Sequence, residues 1–269
     1  MPTIHRYEST TGGVPVNAYL VETATGVIAV DATLTVSGGR GLRERIGRLG
    51  KPLRAVLLTH AHPDHYGGLA ELGEVEIVAT EGVDRVIRRD DDVKEEILRP
   101  MFGDEWPRER AFPNRTVADG ETLSFDGAEL RVVDLGPGES PHDSMWVLEG
   151  AGAVFCGDQA YGGRMHSYLA DGFHEQWLGH IDRLTAELPA GTTLHIGHGE
   201  PAPLELLQWQ RGYITRFVDA VREADWSEPE AATASVTAAM RRHLPSEELA
   251  FLMELSVAPL AAQLGLVAA

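Results

Sequence analysis

The stretch LLTHAHPDHYGG, Leu57 to Gly68, constrains this chain more than any other. Arg54 to Thr59 is a short apolar run of the kind that builds a strand buried on both faces. Three histidines and an aspartate then fall within six positions, just past that strand's carboxyl end. Imidazole nitrogens and carboxylate oxygens are the donors that borderline cations such as zinc select, and cysteine is not required. On extended backbone His60 and His62 point the same way, whereas Pro63 suits the first turn of a short helix that swings Asp64 and His65 onto a neighbouring position. One ion cannot collect four adjacent ligands without strain, so the four donors divide between two sites.

The surrounding pattern is that of an α/β chain. Residues 17–30 read as two strands around the polar turn Glu22 to Gly26, closed by Asp31, and a glycine-punctuated helix follows over 37–49. Another strand is expected at 74–80. The charge-rich stretch 81–116 reads as a helical insertion leading into a loop. Strands return at 121–126, 128–134, 144–149 and 153–157, with turns at Asp126-Gly127 and Glu149-Gly150. A helix over 175–187 and a strand over 192–196 complete two halves of similar plan, which suggests two sheets packed face to face with helices outside. Residues 204–223 carry Leu207, Tyr213, Ile214, Phe217 and Val221 at helical spacing, and with 231–244 and the tail they form a C-terminal helical segment.

Composition removes several functions. A formal charge of −18 argues against a binder of phosphate backbones, which needs surplus Lys and Arg. The single cysteine, Cys156, has no partner for an intrachain disulfide, and the first thirty residues lack the layout of a signal peptide, so the cytoplasm is the expected address. The apolar tail 249–269 is interrupted by Glu254 and Pro259; it reads as a packed or intersubunit helix pair rather than a membrane span. Apolar stripes on the tail and on 204–223 point to a homodimer.

A pair of metal sites needs more donors, and three later residues sit where strands end. His142 lies in the Gly/Pro turn GPGESPHDS, Asp158 ends the run VFCGD, and His198 follows a strand in LHIGHGEP. THAHPDH, followed by His142, Gly157-Asp158 and the GHG of 197–199, resembles the metallo-β-lactamase superfamily over about 17–200. The resemblance implies a four-layer αβ/βα sandwich over 1–200 with the insertion at 81–116, and a C-terminal helical extension over 201–269. It assigns His60, His62 and His142 to one ion, Asp64, His65 and His198 to a second, and Asp158 as a bridge between two Zn²⁺, with Fe or Mn as other occupants. Asp31 resembles the aspartate that orients a ligand imidazole from outside the metal shell. An aspartate at 158 is similar to the glyoxalase II and lactonase branches rather than the antibiotic-degrading one, and the RNA-processing branch requires an inserted domain that 269 residues do not supply.

The implied chemistry is hydrolysis of a small-molecule ester, lactone, thioester or amide by a hydroxide shared between two cations. Asp64 is the candidate for orienting the nucleophile or shuttling its proton. Tyr161, three residues after Asp158, has the spacing at which related lactonases carry a tyrosine on the substrate carbonyl. His166, in the loop GGRMHSYLADG, is a candidate substrate contact. Met101, Phe102, Trp106, Met165 and Trp177 are candidates for an apolar wall. His195 should face away from His198, and Cys156 reads as core. Two alternatives stay open: a mononuclear iron persulfide dioxygenase using His60, His142 and Asp158, and a thioesterase or cyclase of a biosynthetic pathway.

Overall fold

Hydrophobic strands alternate with amphipathic helices along the chain, and in the computed structural model, which describes residues 2–267, they assemble two sheets. The first half contributes β1 (Thr3–Ser9), β2 (Val16–Glu22), β3 (Val27–Val30), α1 (Val36–Arg48), β4 (Leu53–Leu57), the one-turn α2 (Pro63–Tyr66), β5 (Glu76–Thr80), α3 (Glu81–Phe102) and β6 (Arg115–Val117). The second half contributes β7 (Thr122–Phe125), β8 (Ala128–Gly136), β9 (Asp143–Leu148), β10 (Ala153–Gly157), α4 (His174–Glu187), β11 (Thr193–Ile196) and β12 (Ala202–Pro203). Three helices close the chain: α5 (Glu205–Glu223), α6 (Pro229–His243) and α7 (Ala250–Gln263).

Each sheet has six strands, one ordered β1-β2-β3-β4-β5-β6 and the other β12-β11-β10-β9-β8-β7. Strands β3 to β6 run parallel, whereas β7 to β10 form an antiparallel meander. The turn Asp126-Gly127 joins β7 to β8 with both residues at positive φ, 51° and 82°, as a two-residue hairpin of matching twist requires.

Period-two alternation divides the core into layers. Tyr19, Val21, Ile28 and Val30 meet Leu130, Val132, Trp146 and Phe155 between the sheets. Their neighbours Ala18, Leu20 and Ala29 face Leu42, Ile46, Val83 and Ile87 of α1 and α3. On the far side, Val154, Leu194 and Ile196 pack against α4 and α5 through Trp177, Ile181, Leu184 and Phe217. The layers run helix, sheet, sheet, helix: the αβ/βα sandwich that the resemblance implies, with helices at its C-terminus.

Three strands, β1, β6 and β12, were not expected from the pattern. The first, TIHRYES, lies at a sheet edge and pairs on one side only with β2, so its solvent face needs no apolar residues and the alternation that marks a strand is weak. The tail differs as well. It forms one helix, α7, and Met253, Val257, Leu260 and Ala261 enter the same core as α5, so much of the stripe expected to seek a second subunit is covered by the chain itself. Residues 268 and 269 of that tail lie outside the described residues. No helix among the described residues is long and apolar enough to cross a membrane.

The sandwich brings several chain segments to one edge. Asp31 follows β3, the THAHPDH loop follows β4, the turn at 137–142 joins β8 to β9, Asp158 follows β10 and His198 follows β11.

Candidate metal centre

Two groups of donors converge there: His60, His62, Glu139 and Asp158 in one, Asp64, His65 and His198 in the other, with the offered atoms of each group within 4.8 Å of one another. Asp158 joins them, since its Oδ1 lies 3.4 Å from His65 Nε2 and its Oδ2 lies 3.0 Å from His198 Nε2. Asp64 Oδ2 stands 3.2 Å from the same His198 nitrogen.

Local structure aims each side chain. Pro63 opens α2, which turns Asp64 and His65 away from the direction of His60 and His62. Each of the four donor histidines has its outer nitrogen engaged: His60 Nδ1 with Thr59 Oγ1 at 2.9 Å, His62 Nε2 with Asp171 at 2.6 Å, His65 Nδ1 with Asp31 Oδ2 at 2.8 Å and His198 Nδ1 with the Pro15 carbonyl at 2.5 Å. Such partners fix ring orientation and leave the inner nitrogen as a donor to a cation. Asp31, held at φ 62°, also accepts from the Thr59 amide at 2.9 Å and the Thr59 hydroxyl at 2.8 Å, so one carboxylate holds two parts of the loop. Asn17 donates to the Ile196 carbonyl at 2.9 Å and to that of Gly199 at 2.6 Å, which ties the loop bearing His198 to β2. Gly197 must be glycine for a packing reason: a Cβ there would lie 1.9 Å from Asp158 Oδ1.

Four buried polar atoms in this centre have no hydrogen-bond partner: His60 Nε2, His65 Nε2, Glu139 Oε2 and Asp158 Oδ1. Leaving such atoms unpaired costs about 1–3 kcal/mol each, and more for charged groups. Their convergence, from two imidazoles and two carboxylates, fits a cation as the common partner.

The expected third histidine is not among these donors. His142 points away, with its Nε2 2.7 Å from Asp134 Oδ1 and its ring over the start of α3, where a Cβ on Gly82 would fall 2.1 Å from it. Glu139 takes the inward position, 3.1 Å from His62 Nδ1 and 3.6 Å from His60 Nε2. The cause lies in the turn. The buried Asp143 carboxylate accepts the Glu139 amide at 2.7 Å and the Ser140 amide at 3.1 Å, wrapping the backbone so that residue 139 faces the centre and residue 142 its outside. The same rotation breaks the set His60, His142 and Asp158 required by a mononuclear iron site. Glu139 could have been found, because it occupies the same Gly/Pro turn as His142 and carries a carboxylate, a donor type that zinc also accepts.

Two further expectations meet different surroundings. Tyr161 does border the cavity and stacks on His198 at 5.1 Å between centroids, but its hydroxyl donates to Glu139 Oε1 at 2.9 Å rather than standing free for a substrate. His166 is fully buried with its ring nitrogens on Tyr213 Oη at 2.8 Å and the Ser246 carbonyl at 3.1 Å, so it braces the 162–172 loop against the C-terminal helices instead of contacting a substrate. Of the apolar wall, Met101 and Phe102 line the cavity. Trp106 lies beneath Arg110, and Trp177 donates to the Gln159 carbonyl from the core. His195 packs on Tyr19 and Phe155, away from the centre. Burial pushes the Cys156 thiol up to about 12, which keeps it protonated and unreactive.

The electrostatics of the centre call for positive charge. Burial pushes the Glu139 carboxyl up to about 8 against the pull of His62. Burial alone would lower the histidines, yet Asp158 and Asp64 raise His65 well above its ordinary value and hold His198 at about 10, while Glu139 and Asp171 raise His62. His60, with burial and His65 acting together, goes the other way, well below its ordinary value. Against the burial penalty, His198 and His65 draw Asp158 far down, and Asp64 is lowered in the same way, principally by His65. The neighbouring carboxylates therefore favour protons on His62, His65 and His198, and a cation would displace those protons on binding.

Comparison with known proteins agrees with this geometry. A family model described as the metallo-beta-lactamase superfamily matches residues 11–198. The chain is 31% identical over 149 residues to the uncharacterized protein YobT of Bacillus subtilis (strain 168), covering 54% of this chain and 61% of that one. It is 30% identical over 179 residues to a hydroxyacylglutathione hydrolase of Synechococcus sp. (strain JA-3-3Ab), covering 66% and 60%. The chain thus spans about three-fifths of the length of these two relatives. A solved beta-lactamase domain protein from Burkholderia ambifaria superposes with a TM-score of 0.69 at 19% identity over 98% of this chain and 88% of that one, which speaks to the fold.

Proposed function

The chain belongs to the metallo-β-lactamase superfamily, and from that premise we propose that it is a dinuclear, zinc-dependent hydrolase of a small-molecule ester, lactone, thioester or amide. The observation that carries the reading is the convergence of four unpaired buried donor atoms, His60 Nε2, His65 Nε2, Glu139 Oε2 and Asp158 Oδ1, in the two donor groups that also supply His62, Asp64, Asp158 and His198 to the lining of one cavity. On this reading His60, His62, Glu139 and Asp158 would hold one ion, and Asp64, His65 and His198, with Asp158 beside them, would hold the other. A bound pair of divalent cations supplies acidification of water and polarisation of a carbonyl.

The chain's own side chains do the rest. Asp64 and His198 border the cavity, so the Asp64 carboxylate both ligates and is placed to hold a proton taken from water and return it to a leaving group. Tyr161 is a positioning residue: by donating to Oε1 of Glu139 it leaves Oε2 as that carboxylate's free oxygen. Asp31 and Asp171 hold the rings of His65 and His62. Hydrolysis adds the oxygen of water to the acyl carbon and breaks its bond to the leaving group, yielding an acid and an alcohol, thiol or amine.

The test is metal quantification on protein purified without added metal, followed by lactone, thioester and β-lactam substrates. Two zinc ions per chain and turnover of a member of that panel are expected. Full activity in His62→Ala or Asp158→Ala, or protein that turns nothing over when loaded, would overturn the reading.

A further inference from the structure

The cavity above the candidate metal centre is about 270 Å³, near the lower end for a small-molecule site, and its walls are not those of a site for a polar conjugate. Its floor is Asp64, Asp158 and His198; its sides come from α3 and α7. Ile97 and Met101 on α3 and Phe251 and Leu255 on α7 line the same cavity, each pair spaced four apart on one helical face. These four large apolar side chains are 53%, 67%, 41% and 60% exposed, and they belong to a short roll of exposed large hydrophobics among the described residues. Apolar surface gathered at the rim of a cavity that ends on candidate catalytic groups is placed to receive part of a ligand. Lys94 is the one lysine or arginine along the lining.

We propose, building on the hydrolase reading above, that the substrate is an acyl compound with an extended apolar tail, its carbonyl at the metal centre and its tail lying between α3 and α7. Two features of the cavity distinguish this from a glutathione thioester, the substrate class named for the hydroxyacylglutathione hydrolases that the chain resembles. A glutathionyl group carries two carboxylates, an ammonium and two amides, which would need matching ionic and hydrogen-bonding partners. The lining offers one lysine and a predominantly aliphatic and aromatic wall. A hydrocarbon tail, in contrast, gains by leaving water, by up to about fourfold in affinity per buried methylene. The occupant is a substrate tail rather than a second copy of the chain, because Ile97, Met101, Phe251 and Leu255 line the same cavity as Asp64, Asp158 and His198.

The experiment pairs a turnover series with a binding series on metal-loaded protein of measured metal content. Nitrophenyl esters of acetate, butanoate, hexanoate, octanoate and decanoate are compared by kcat/KM, and the matching alkanoates, which cannot be hydrolysed, by calorimetric Kd. Both should improve by about two- to fourfold per methylene until the tail passes the rim. Ile97→Asp and Leu255→Asp, at exposed positions that tolerate charge, should flatten both slopes. A flat alkanoate series, slopes unchanged in both variants, or S-lactoylglutathione turned over more efficiently than every ester would overturn the proposal. If no ester is hydrolysed while the alkanoate slope stands and the variants abolish it, the hydrolase reading fails and the tail site survives.

Discussion

Replacing Glu139 and His142 separately by alanine sets the geometry of the turn against the simplest reading of the motif. Glu139→Ala removes a buried carboxylate that lies 3.1 Å from His62 Nδ1, and it leaves the buried Tyr161 hydroxyl without its acceptor. The orphaned hydroxyl costs about 1–3 kcal/mol whether or not metal is present. Loss of an anionic ligand is at least as severe as loss of an outer partner, which lowers metal affinity about 10–100-fold. A hundredfold loss removes about 2.7 kcal/mol of metal-linked stabilisation at fixed metal. At about 2–4 °C per kcal/mol for a chain of this size, the rise in Tm on adding metal should shrink by about 5–11 °C. His142→Ala, by comparison, breaks a partly buried pair with Asp134 worth about 1 kcal/mol and removes no donor of the centre. The assay is metal content after gel filtration together with Tm in the presence of chelator and of zinc. Comparing the two Tm values within each variant cancels the Tyr161 cost and isolates the ligand. Retention of metal by Glu139→Ala with loss in His142→Ala would refute the account of the turn.

Other consequences are as specific. Because the carboxylates raise His62, His65 and His198 against burial, metal binding should release protons and tighten as pH rises through neutrality; calorimetry in buffers of different ionisation heats measures this, and no net release would contradict it. Asp31→Asn keeps the shape but removes the charge that accepts from His65 Nδ1, so zinc affinity should fall about 10–100-fold in a competitive titration, and an unchanged affinity would count against its positioning role. Burial lowers His195 to about 4, below its unfolded value, so the unfolded chain binds the extra proton between about pH 6.5 and pH 4 and stability falls as pH falls through that window. His195→Phe retains the ring contacts with Tyr19 and Phe155 and should remove up to about 3 kcal/mol of that dependence in denaturant titrations; parallel pH profiles for the two proteins would refute it.

What the sequence disclosed about the centre depended on how far each inference had to reach through space. His60, His62, Asp64 and His65 share a strand end and one helical turn, so spacing and Pro63 sufficed to divide them between two directions. Asp158 and His198 lie just past strand ends, where strand direction alone selects an edge of the sandwich. The turn at 137–142 offered no such rule. Its backbone is wound around Asp143, a buried carboxylate whose role appears only once its hydrogen bonds are traced, and three residues of arc separate facing the centre from facing α3. His166 failed for a related reason: its nearness to Asp158 in sequence says nothing of Tyr213 and Ser246, 47 and 80 residues on, which hold it.

The exchange at that turn changes the chemistry as well as the bookkeeping of ligands. Five histidines and two aspartates would carry two negative charges toward two divalent ions, whereas the observed four histidines, two aspartates and one glutamate carry three. A carboxylate oxygen in place of an imidazole makes the donor set harder, while the four imidazoles that remain are donors of the kind that suits zinc. It also leaves less net positive charge to polarise a carbonyl, so more of the selectivity must come from contacts away from the ions. The apolar walls that α3 and α7 give the cavity are the part of it able to supply such contacts.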